Sequence, residues 1–97
     1  MKLFHRTSVA PADVLEVAES FFSRLGLAMT GNAPRVRTFA GGLGNVRVSA
    51  TAEGGHYTFV EADTDQIGES RLDKNVKKFF VELHRRAEPR HALEAGY

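Results

Sequence analysis

No cysteine occurs in this sequence, so it has no disulfide framework, no thiolate nucleophile and no thiolate metal ligand. No apolar run approaches the length of a membrane span. The opening stretch, MKLFHRTSVAPADV, lacks the continuous apolar core of a signal peptide. A cytoplasmic location, with no membrane partner, is the default expectation. Charge of one sign is also missing: the net charge is +1, which by itself points to neither nucleic acid nor lipid. There is no internal repeat, low-complexity tract or linker. The 97 residues therefore read as one domain, 1–97, with a small core, marginal stability and a frayed tail from about 89.

The strongest signal present is the stretch Ser70 to Pro89. Leu72, Val76, Phe79, Phe80, Leu83 and Ala87 recur at helical spacing and form one apolar stripe. Lys74, Lys77, Lys78, Glu82, Arg85 and Arg86 lie on the opposite face. Ser70 and Asp73 have the spacing of a capping box, and Pro89 stops the helix. Asp73–Lys77, Lys78–Glu82 and Glu82–Arg86 are spaced as i,i+4 ion pairs. Burying one large apolar side chain is worth about 1.5–3 kcal/mol, so the stripe outweighs these pairs. A second stripe, Val14, Ala18, Phe21, Phe22 and Leu25, predicts a helix over 11–25. Pro11 suits its first position, and Gly26-Leu27 suits a Schellman ending on Phe22. Phe79, Phe80, Leu83, Phe21, Phe22 and Val48 are the expected core.

Three runs read as strands: 35–40, 46–52 and 56–62. Leu3 to Val9 is a weaker candidate, and 27–30 is short and extended. The expected fold is α+β: an antiparallel sheet of three to four strands with two helices on one face, in the order (β)-α-β-β-β-α. In element order alone this resembles half of the TATA-binding-protein fold, small double-stranded-RNA-binding domains and reduced helix-grip domains. No motif accompanies the likeness, and fold does not imply function.

With Gly54-Gly55 as a two-residue turn, Ala52 faces Tyr57 and Ala50 faces Phe59, which puts both aromatics under the helices. An odd-length loop through Gly41-Gly42-Leu43-Gly44-Asn45 puts Arg35, Arg37 and Phe39 beside Arg47 on the outer face. An even loop reverses this, at the cost of burying two arginines. Arginines around an aromatic ring on an open sheet are the physical recipe for holding a single-stranded polyanion. The candidate polyanion-binding residues are Arg35, Arg37, Phe39 and Arg47, with Lys74, Lys77 and Lys78 as a second basic face. Those lysines lack the double-stranded-RNA signature.

No catalytic, metal or cofactor-binding residue is identified. The GGLGN string lacks the Lys-Ser/Thr of a phosphate loop and joins two strands instead of opening a helix. The four histidines, His5, His56, His84 and His91, show no paired metal spacing. His84 and Glu88 are i,i+4 with His91 past Pro89, a set that could ligate a metal but reads better as a polar helix end. Asp63 and Asp65 resemble part of a calcium loop whose glycine and closing glutamate are misplaced. The leading expectation is a non-enzymatic interaction module that self-associates as a homodimer. The first alternative is a nucleic-acid-binding domain using its basic sheet face. The second is a small-ligand-binding or enzymatic domain with a pocket between the C-terminal helix and Tyr57/Phe59.

Overall fold

A computed structural model describes residues 1–87 of the chain. The expected stop at Pro89, the frayed tail, and Glu88 and His91 lie outside the described residues.

The element order is β1 (Lys2–Thr7), α1 (Pro11–Arg24), β2 (Ala28–Ala33), β3 (Val36–Gly41), β4 (Gly44–Glu53), β5 (Tyr57–Thr64) and α2 (Arg71–Ala87). The sheet has five strands, not three or four, in the spatial order β1-β5-β4-β3-β2. All neighbours are antiparallel. The two weakest strand signals in the sequence account for the difference. β1 pairs along the whole of Lys2–Thr7 with β5, and β2 pairs with β3, so each closes one side of the sheet. Edge strands carry weak patterns because only one neighbour constrains them.

Both helices end as their residues dictate. Ser70 Oγ accepts the Asp73 N–H at 3.0 Å and caps α2. At the end of α1, Gly26 has φ +94, and the Leu27 N–H donates to the Phe22 carbonyl at 3.0 Å. That is the Schellman ending. The core lies between the helices and one face of the sheet. Phe22, Phe79, Leu72, Val76 and Leu83 pack on Phe39, Val46, Val48, Ala50, Val60 and Ala62. Phe21 packs against this cluster from its margin. The Phe22 ring sits 5.2 Å from Phe39 and 5.4 Å from Phe79, joining helix to helix and helix to sheet.

Two turns differ from expectation, and each flips a strand. Between β4 and β5, Glu53 pairs with Tyr57, so the loop is Gly54-Gly55-His56, three residues long. His56 takes φ +72 to close it. Ala50 therefore faces Val60 instead of Phe59, and Ala52 faces Thr58 instead of Tyr57. Thr58, Val60, Ala62 and Thr64 are buried, while Tyr57 stays 55% exposed on the other side. Between β3 and β4, Gly41 pairs with Gly44, leaving only Gly42-Leu43 in the loop. This even loop turns Phe39 inward, where it is 2% exposed.

The same flip puts Arg37 opposite Val48, on the helix side, away from Arg47. The expected penalty for turning an arginine inward is met by partners. Its Nε donates to Glu19 Oε2 at 2.8 Å, and its Nη1 donates to the carbonyls of Ala33 and Val36. A guanidinium whose donors are engaged at a sheet margin escapes most of the cost of a bare buried charge.

Candidate functional site

The face of the sheet turned away from the helices is open. Its residues come from alternate positions: Lys2, Phe4 and Arg6 on β1; Tyr57, Phe59, Glu61 and Asp63 on β5; Arg47, Ser49, Thr51 and Glu53 on β4; Val36 and Thr38 on β3. Phe4 is 54% exposed. It stacks on Phe59 with ring centroids 5.5 Å apart and planes at 21°. The Arg6 guanidinium lies over the Phe59 ring, 4.9 Å from its centroid. Arg6 Nε also donates to Glu53 Oε1 at 2.9 Å. In register, Asp63 stands between Lys2 of β1 and Arg47 of β4. Cross-strand partners lie within reach of each other, so the face is a lattice of alternating charge around an aromatic pair.

Three bases (Lys2, Arg6, Arg47) and three acids (Glu53, Glu61, Asp63) therefore share this face. Their charges cancel. The expected basic set does not assemble here. Arg47 is on the open face, Arg37 and Phe39 are on the helix side, and Arg35 lies in the turn between β2 and β3. The Arg35 carbonyl accepts the Ala50 N–H at 3.0 Å. Lys74, Lys77 and Lys78 lie on α2, across the sheet from Arg47. Lys77 is 3.6 Å from Glu69. Asp73 turns inward instead of pairing with Lys77, while Glu82 meets both Arg24 and Arg86. Phe4, Arg6 and Phe59 were not legible as a group. They meet only because β1 pairs with β5, which sets Arg6 opposite Phe59, 53 residues further along the chain.

Two buried polar groupings lie elsewhere. At the start of α2, Asp73 is 1% exposed. It accepts from Thr64 Oγ1 at 2.6 Å and from Ser70 Oγ at 2.8 Å. Burial pushes its carboxyl up, but these hydroxyls, a backbone N–H at Ser70 and the nearby terminal ammonium together hold it below the ordinary value. The Met1 ammonium donates to the carbonyls of Thr64 and Gln66 at 2.7 and 3.0 Å. Thr64 spends its proton on Asp73, and both are shielded from solvent, so the pair ties β5 to α2 and has no approach for a substrate. Asp65 accepts the Asn45 N–H at 2.9 Å, a bond that leads the causes lowering its pKa, and it also accepts from Gln66 Nε2. That bond tethers the segment after β5 to the start of β4.

The second grouping is His5, on the helix side of β1 and stacked on Phe80. The expected pocket between α2 and Tyr57/Phe59 does not form, because both aromatics point to the open face and Val60 and Ala62 fill the space beneath the helices. A recess of about 650 Å³ lies instead between the start of α1 and the end of α2, beside Asp13, Glu16 and Arg86. Among the described residues, no cluster of three or more His, Asp or Glu side chains is placed to hold a metal ion. No described helix is long and apolar enough to cross a membrane.

The chain matches no family model and no curated protein.

Proposed function

We propose that this domain is a non-enzymatic interaction module that self-associates through its open sheet face. The observation that carries the reading is the exposed Phe4 ring stacked on the half-buried Phe59 in a charge-balanced surface. A helix-covered sheet leaves its second face to water or to a partner. A face with equal numbers of acids and bases suits a two-fold contact, in which Lys2, Arg6 and Arg47 of one copy meet Glu53, Glu61 and Asp63 of the other. Size agrees as well. Five strands about 4.8 Å apart and eight residues at about 3.3 Å give a face of order 600 Å², near the ~800 Å² that each partner contributes to a standard interface.

The alternative of a single-stranded nucleic acid draws on the same Phe4–Phe59–Arg6 cluster as a stacking platform. The three acids on the face weigh against it, since each would stand near phosphate.

Sedimentation velocity on the purified chain tests the reading. Self-association gives a species of twice the 10.7 kDa chain mass at about 100 µM. Phe4→Glu, an exposed change that leaves the core untouched, returns it to monomer. A monomer throughout that range would remove the proposal. Tight, salt-sensitive binding of an oligonucleotide to the same face would replace it.

A further inference from the structure

The two edges of the sheet differ in how they meet solvent. β1 carries Lys2, His5 and Arg6 along its six residues. Charged side chains on an edge discourage strand addition. A β1–β1 pairing centred on Phe4 would also set Lys2 against Arg6 of the other copy, two like charges. β2, with sequence AMTGNA, has no charged residue and no proline. It is bonded to β3 on one side only, and five of its six residues are exposed. Its remaining N–H and C=O groups form an unguarded template.

A groove of about 490 Å³ lies between this strand and α1. Leu27 and Phe39, both buried, form its apolar floor, and Met29, 47% exposed, stands at its lip. Glu16 and Glu19 of α1 form an acidic wall. Glu19 is engaged by Arg37. Glu16 is exposed, and no cation pairs with it among the described residues. An open strand edge beside a helix-walled groove can take an extended segment as an added strand. Main-chain bonds then supply affinity, and alternate side chains enter the groove.

We propose that the β2 edge and the α1 groove dock an extended peptide whose groove-facing residues, every second one, are apolar except for one lysine or arginine. On that face the apolar side chains fill the space over Leu27, Met29 and Phe39, and the lysine or arginine meets Glu16. Charge selects this occupant over a second copy, because β2 itself carries no cation to offer Glu16. The ladder favours a short segment too. The β2–β3 register passes from Met29 to Gly31 and skips Thr30, and this bulge interrupts any long regular pairing.

The test is an NMR titration of the ¹⁵N-labelled full chain with the capped hexapeptide Val-Thr-Val-Thr-Lys-Thr, whose two valines and lysine share one face. The same peptide with glutamate in place of the lysine is the control. Docking gives saturable shifts confined to 28–33 and the facing part of α1, with Kd of about 10–100 µM. Glu16→Lys, at an exposed position, then weakens binding about tenfold. Phe4→Glu on the open face leaves it unchanged, so peptide docking and self-association succeed or fail separately. Absence of saturable shifts to ~1 mM overturns the proposal. Equal binding of the glutamate peptide, shifts centred on the open face, or no effect of Glu16→Lys overturns it equally.

Discussion

The imidazole of His5 lies nearly flat on the Phe80 ring, with centroids 5.1 Å apart and planes at 15°. Its Nε2 is buried and finds no hydrogen-bond partner among the described residues. Burial first, and then the charge of His84, push its pKa below 6.5. A histidine lowered in the folded state takes its proton first in the unfolded chain. Its contribution to stability is therefore complete above 6.5 and is lost as pH falls from there toward the folded pKa. Chemical denaturation at pH 7 and pH 5 should show the protein weaker at pH 5. His5→Phe, which keeps the stack on Phe80, should flatten that difference. An unchanged pH profile in the variant would place the titration elsewhere.

Asp73 makes the opposite end of α2 sensitive to acid. Its carboxyl is held below 3.8, so its contribution is intact above that value and fades as pH drops through the folded pKa. Asp73→Ala removes the group that accepts from Thr64 and Ser70, and it strands a buried hydroxyl. The expected loss is about 2 kcal/mol in urea melts, from a weakened cap and an unsatisfied polar group. Thr64→Val should shift acid unfolding, followed by circular dichroism, to higher pH. A variant that unfolds at the wild-type pH would mean the Thr64 bond contributes nothing.

Among the described arginines of the strands, Arg37 is the one turned toward the helices, and its value depends on Glu19. Its side chain is 16% exposed and that of Glu19 is 40% exposed, so screening trims the pair. Arg37→Ala should cost about 1–2 kcal/mol. Lysine should not restore it, since one ammonium cannot serve Glu19 and two carbonyls in the geometry of a planar fork. A double-mutant cycle with Glu19→Ala should give a coupling above about 0.5 kcal/mol. Simple additivity would show that the carbonyl contacts alone hold Arg37.

The reach of the sequence follows from which interactions are local. The stripe Leu72, Val76, Phe79, Phe80, Leu83 and Ala87 is written in one contiguous segment, and all of it but the half-buried Ala87 is buried. The Gly26-Leu27 ending is local as well. Strand registers are not. The glycines of Gly41-Gly42-Leu43-Gly44 permit a loop of several lengths, and the short one is the length that packs Phe39 inward against Phe22. Arg37 turns inward without a bare buried charge because its partner, Glu19, comes from α1, 18 residues away in sequence, a pairing that no local pattern announces. The open face needed both registers and the β1–β5 pairing, so its aromatic pair was hidden until all three were known.

His56 gives the sharpest check on the turn that decides this. It sits exposed at φ +72 as the last residue of the three-residue loop. A side chain there costs roughly 1 kcal/mol, and β-branched residues suffer most. Asparagine tolerates that conformation without glycine's loss of chain entropy. His56→Asn should therefore stabilise the domain by a few tenths to about 1 kcal/mol, and His56→Val should destabilise it by about 1–2 kcal/mol. A two-residue Gly54-Gly55 turn would make residue 56 the first of a strand, where valine is favoured over histidine. The sign of the valine change in equilibrium denaturation thus separates the two registers. A stabilising valine would return Phe59 and Tyr57 to the helix side and dissolve the open aromatic face.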